Sequence, residues 1–203
     1  MNFHNNHDFI TLFEKRLSEF TGAPYVVLVD CCTNALFLCC GLLSVEHVTI
    51  PKHTYISVPH MLLNSGVGIE WTDEKWVGYY QLDDYPIYDY AVGLKENIYE
   101  SGTYMCLSFQ QKKAINIGRG GAILLDNKEH YELLKQVAHD GRSDPSKNIK
   151  YDSNISMIGF HMYMPPENAA KGVLLLNQLT EKKIEDHIGI WEDYPDLTEI
   201  VFK

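Results

Sequence analysis

Between residues 8 and 21, apolar side chains recur at Phe9, Ile10, Leu12, Phe13, Leu17 and Phe20, with polar residues between them. That spacing is the stripe of one helix, stopped by Gly22 and Pro24. The period then changes. YVVLVD (25–30) is a short run rich in β-branched residues and predicts a strand buried on both faces. NALFLCCGLL (34–43) has no polar face, so it predicts a helix buried nearly all round, opened by Thr33 and Asn34. HVTIP (47–51) reads as a second strand. TYISVPHMLLNSG (54–66) reads as a helix ended by Gly66, with Pro59 confined to its first turn. GIEWTD, PIYDYA, TYMCLSF and GGAILLD supply four further strands, the last running into the helix KEHYELLKQVAHDG. Alternation of strand and helix predicts an α/β fold, a three-layer sandwich around a mostly parallel central sheet.

After Gly141 the pattern loosens. RSDPSKNIKYDSN (142–154) predicts a polar loop, and PENAAKGVLLLNQLTEKKIEDHIGIW (166–191) one long helix. With no repeat, low-complexity block or flexible linker, residues 1–203 read as a single unit.

Composition narrows the function classes. The 203 residues are 45% hydrophobic, and 17 Lys+Arg against 27 Asp+Glu give a formal charge of −10. No dense basic run exists to neutralise phosphates, so nucleic acid is not an expected partner. The N-terminus, MNFHNNHDF, lacks the basic-then-apolar order of a signal peptide. The longest apolar-rich stretch, 35–45, falls short of the ~20 residues that span a bilayer. Cys31, Cys32, Cys39, Cys40 and Cys106 form two adjacent pairs and a single residue, which is neither a disulfide framework nor a C-x-x-C metal site. These features predict a cytoplasmic protein without a structural metal.

Four segments carry candidate chemistry. In VDCCTNAL a strand runs into a helix through Thr33 and Asn34, where free N–H groups and a hydroxyl suit a phosphate; the same two residues serve equally as helix caps. In SFQQKKAINIGRGGA a strand ends at Ser108, two lysines follow, and glycines allow close backbone approach. A lysine shielded there has a lowered pKa and acts as an amine nucleophile; the alternative is a dibasic surface turn. Asp89 follows an apolar strand, so it needs a cationic partner or caps the next element. Tyr55, just past a strand end, either stacks on a flat ring or fills the core.

Taken in order, these segments resemble the DegT/StrS family of sugar aminotransferases, fold-type-I enzymes that use pyridoxal 5′-phosphate (PLP). The matching text is PYVVLVDCCTNAL, VTIPKHTYISVPHMLLNSGVGIEWTD, IYDYA, CLSFQQKKAINIGRGGAILLDN and GFHMYMPPENAAKGVLLLNQL, covering about 13–179. SFxxxK followed by GxGGA is its most specific part. The resemblance implies that Lys113, not Lys112, is the aldimine-forming catalytic lysine. It implies that Asp89 pairs with the pyridinium nitrogen, that Tyr55 stacks on the ring, and that Thr33, the Asn34 backbone and Ser108 bind the phosphate. It further implies a homodimer with its active site at the interface, and transfer of an amino group from a donor such as glutamate or glutamine to a nucleotide-linked keto-sugar.

The chain departs from the family at several points. His161-Met162-Tyr163 stands where the family has Asn-Tyr-Arg, leaving the phosphate contact across the interface to His161. Val92 replaces a polar residue beside the ring, and Arg119 replaces an acid in the glycine turn. The family also continues past the point where this chain stops, into a small C-terminal domain. A non-catalytic relative, or a regulatory partner of a full-length enzyme, is therefore the competing expectation.

Overall fold

The computed structural model describes residues 7–143, 155 and 157–198. The expected polar stretch at 144–154 lies outside them. Helix α1 (His7–Thr21) buries Ile10, Phe13, Glu14, Leu17 and Thr21, the face its spacing predicts. Strand β1 (Tyr25–Val29) leads into α2 (Cys32–Leu42), whose buried positions run around most of its circumference. β2 (His47–Pro51) leads into α3 (Ser57–Asn64) and β3 (Gly68–Thr72). β4 (Tyr80–Leu82) and β5 (Ile87–Asp89) form a hairpin. β6 (Tyr104–Ser108), β7 (Gly121–Leu125) and α4 (Lys128–Ala138) follow.

The predicted three layers form, because alternate residues of the central strands feed opposite cores. Val27, Val29, Cys106, Ile123 and Leu125 pack with α2, α3 and α4 on one face. Val26, Leu28, Met105, Leu107, Ala122 and Leu124 pack with α1 and the later helix on the other.

The expectation of a mostly parallel sheet is corrected. The main sheet has the order β1-β7-β6-β5-β4, and only the β5–β6 pairing is parallel. A four-residue turn joins β4 to β5 as an antiparallel hairpin, and the chain also returns antiparallel from β6 to β7 through the loop 109–120. β2 and β3 pair in parallel and join β4 through the Thr49–Asp83 bridge. Strands β1, β2, β5 and β6 consequently still point the same way, and their carboxyl ends meet at one edge.

The predicted helix over 166–191 is also corrected. It divides into α5 (Pro166–Asn177) and α6 (Glu181–Glu185), with Thr180 capping α6 by accepting from the Lys183 N–H. Beyond α6 the chain turns back across the carboxyl edge of the sheet, passing through a short 3-10 turn at Trp191–Asp193. Among the described residues, no helix is long and apolar enough to cross a membrane.

Candidate active site

A cleft of about 890 Å³ opens where β1, β2, β5 and β6 end, the position at which open α/β sheets bind ligands. Thr33, Tyr55, Asp89, Ser108 and Lys113 all line it. Asn34 and His161 do not. Asn34 turns its side chain to Asp30 (2.6 Å), and His161 sits in a second cavity of about 470 Å³ with Asp30, Arg119 and Tyr163.

The β1–α2 junction shapes one end of the cleft. The helix cap is Cys31, whose extended backbone lets its sulfur accept the Asn34 N–H at 3.4 Å. Thr33 is therefore freed from capping, and its hydroxyl lies 2.7 Å from that of Ser57, the first residue of α3. Two helix N-termini thus meet beside Thr33, a favourable setting for an anion. The junction is close to β7: a Cβ on Gly121 would come within 2.5 Å of the Cys31 carbonyl carbon.

Asp89 lies at the other end and is 6% exposed. Its Oδ1 accepts the Ala91 N–H at 2.9 Å and is approached by the Cys32 thiol at 3.9 Å. Its Oδ2 accepts the Tyr80 hydroxyl at 3.0 Å. Since Tyr80 spends its proton on Asp89, the Thr54 hydroxyl 2.6 Å away is the donor to Tyr80. Burial raises the Asp89 carboxyl above its ordinary value, against the lowering effect of these donors and of Lys113. Among the described residues, no cationic side chain comes within ion-pair distance of it.

Lys113 projects from the β6–β7 loop. The Lys113 N–H closes a turn onto the Gln110 carbonyl, and Phe109 N–H to Gly120 O holds the loop ends together. Lys171 donates to the Ile117 carbonyl at 2.7 Å and Asn168 to the Arg119 carbonyl at 2.9 Å, anchoring the loop to α5. Burial lowers the Lys113 ammonium from its ordinary value, outweighing the opposing pull of Asp89. A desolvated amine and a desolvated carboxylate therefore face one cavity, the pairing that sites for acid–base chemistry display. Tyr55, 57% exposed, stands at the rim.

Sequence reasoning missed Tyr80, Thr54, Cys32, Ser57 and the returning segment 186–197, which lines the cleft through Ile188, Gly189 and Tyr194. The inward alternation of Tyr80 and Leu82 ahead of a DDYP turn was the available signal for β4. Cys32, Cys39, Cys40 and Cys106 are buried in the core, with the Cys39 and Cys106 sulfurs 3.8 Å apart.

The donor set suits PLP. A buried acid without a cation in contact fits a protonated ring nitrogen, a half-buried amine fits its aldehyde, and hydroxyls at helix N-termini fit its phosphate.

Comparison with solved structures shows this fold repeatedly. The chain is similar to the sugar aminotransferase CalS13 from Micromonospora echinospora (17% identity, TM-score 0.69), covering 88% of this chain and 61% of that one. DesI is similar at 16% identity and a TM-score of 0.65, with 84% and 53% covered. A Streptococcus pneumoniae protein is similar at 15% and 0.65, with 84% and 59% covered. The chain thus spans about 60% or less of the length of these structures. Comparison with curated proteins finds no match. A family model matches residues 2–75 and 91–198, which contain the β1–α2 junction and the lysine loop while Asp89 falls in the gap between them, and the chain belongs to the DegT/DnrJ/EryC1/StrS aminotransferase family.

Proposed function

We propose that this chain provides the cofactor site of a PLP-dependent aminotransferase that acts on a nucleotide-linked keto-sugar. The observation that carries the reading is the pair of buried Asp89 and half-buried Lys113 in one cleft, with the Thr33 and Ser108 hydroxyls along it. The similar S. pneumoniae protein is described in a PMP form, and DesI in the presence of its TDP-sugar product. Both descriptions support the cofactor and the substrate class.

When bound, PLP supplies an electron sink and a carbonyl carbon through which amino groups are exchanged. The chain's own residues do the rest. Asp89 keeps the ring nitrogen protonated through a charge-assisted hydrogen bond. Tyr55 covers one face of the ring and limits water. Thr33 and Ser108 donate to the phosphate, aided by the positive end of α2. Lys113, whose lowered pKa leaves more of it as free amine near neutral pH, would hold the cofactor at its aldehyde carbon and, once displaced by the substrate amine, would take up and return the substrate proton at Nζ.

The reading includes a homodimer in which His161 or Tyr163 of one protomer lies near the phosphate site of the other. Arg119 borders both cavities and pairs with Asp30 at 2.7 Å, so the two spaces share a wall. Light scattering at low micromolar concentration tests the assembly, and a stable monomer that retains PLP refutes it. For the cofactor, the test is an absorbance spectrum after adding PLP and removing excess. A visible or near-ultraviolet band abolished by borohydride supports the reading, and its absence overturns it.

A further inference from the structure

The segment 186–197 lies far in sequence from every strand end it touches. Gly78 N–H donates to Gly189 O at 2.7 Å, Gly189 N–H to Val92 O at 3.2 Å, and Trp191 N–H to Trp76 O at 3.1 Å. Further along, Leu197 N–H donates to Lys52 O at 3.0 Å, His53 Nδ1 donates to Tyr194 O at 2.8 Å, and Asp196 pairs with Lys52 at 3.0 Å. Leu197 is buried, and the Tyr194 ring rests on Trp76 with centroids 5.4 Å apart. Bonds distributed along both flanks of the segment fix its path. They bring Tyr194 to the cleft, facing the space that Asp89, Tyr55 and Cys32 also border.

Val92 gives this path a second, independent mark. At this position the family carries a polar residue, and here an aliphatic one packs on backbone. A Cβ on Gly189 would come within 2.9 Å of Val92 Cγ2, 3.0 Å of its Cβ and 3.2 Å of its Cγ1. Only glycine lets the segment lie that close.

We propose that residues 186–197 form a fixed wall of the cleft and that Tyr194 is a further ligand-facing residue, donating a hydrogen bond to an oxygen of bound PLP. The proposal rests on the cofactor reading above. Burial pushes the Tyr194 phenol up to about 12, so it remains a neutral donor at any working pH. The cleft keeps about 890 Å³ with Tyr194 in place, within the range of small-molecule sites, so the residue borders the ligand space and leaves it open.

Two measurements test this. In the unliganded chain, the Gly78, Trp191 and Leu197 amides are expected to be protected from hydrogen exchange. Gly189→Ala should expose them, and adding Val92→Gly, which removes all three crowding atoms, should restore protection. Exchange at unstructured rates in wild type overturns the wall. For the ligand contact, PLP titration followed by quenching of Trp76 should show Tyr194→Phe binding about ten-fold more weakly, the loss of one useful hydrogen bond. An unchanged dissociation constant overturns the role of Tyr194. If wild type takes up no PLP, the cofactor reading falls and the Tyr194 contact with it, while the exchange data still decide the wall.

Discussion

The Tyr80 hydroxyl donates to Asp89 Oδ2 at 3.0 Å, and burial raises the Asp89 carboxyl above its ordinary value against the lowering effect of that donor. The sign of the pH effect follows. A carboxyl whose folded pKa exceeds its unfolded value binds protons more tightly when folded, so stability falls as pH rises from about 4 through the raised value. Asp89→Asn removes that burden. The unliganded variant is expected to be at least as stable as wild type at pH 7 and flatter in stability between pH 4 and 7, as measured by urea unfolding. Turnover should nevertheless fall about 100-fold or more, because the ring loses its charged partner. Wild-type turnover in the variant would refute the assignment.

Tyr80→Phe removes the donor while keeping the ring. It is expected to cost about 2 kcal/mol at neutral pH, the range for a hydrogen bond to a charged group, and to raise the Asp89 pKa further. Carboxyl carbon NMR of Asp89 in the unliganded chain checks the shift directly; an unmoved titration would show that Tyr80 does not support the carboxylate.

Peptide mapping after borohydride reduction of the PLP-treated chain should place the pyridoxyl group on Lys113. Lys112→Ala should keep the label and Lys113→Ala lose it. Because burial lowers the Lys113 ammonium, the pH profile of covalent uptake should be displaced to lower pH than that of an exposed lysine. A label on Lys112 would sink the register.

The parts of the site that lie next to one another in sequence were legible there. Ser108, Lys113 and the glycine turn sit in one strand-end segment, and Asp89 closes an apolar strand. Strand direction was not legible, since a pattern of alternating or continuous apolar residues is the same whichever neighbour the strand takes. β7 fits between β1 and β6 and runs antiparallel to both, and nothing in GGAILLD announces that. The break after Asn177 had a local signal in Thr180 followed by Glu181, masked by apolar spacing that continued past it. The return of Tyr194 to the cleft depends on Lys52, His53, Trp76 and Val92, contacts that local patterning does not encode.

His139 offers a pH test away from the cleft. It is 4% exposed, its Nδ1–H donates to the Lys135 carbonyl at 3.1 Å, and its Nε2 lacks a partner among the described residues. Burial lowers its pKa from 6.5 to about 4. The unfolded state therefore takes up a proton between those values that the folded state refuses, so stability falls as pH drops from about 6.5 towards 4 and then levels. The full effect is on the order of 3 kcal/mol. His139→Phe keeps the stacking on Tyr163 and should flatten the curve across that window in urea titrations at pH 4.5 and 7. A slope identical to wild type would mean that His139 titrates normally.

Gly121 sets how closely β7 approaches the helix that carries Thr33. A Cβ there would lie 2.5 Å from the Cys31 carbonyl carbon and 2.6 Å from the Cys32 nitrogen, both backbone atoms that cannot rotate away. Gly121→Ala must push α2 off the sheet or shift β7, with an expected cost of about 3 kcal/mol. Gly41, within α2, has open space around it and no left-handed backbone. Gly41→Ala should instead stabilise by about 0.5–1 kcal/mol through helix propensity. Urea unfolding of the two variants separates a steric demand from a general tolerance of glycine substitution. Equal and small changes would show that the β7–α2 approach is slack, and the geometry of the Thr33–Ser57 end of the cleft would then not depend on it.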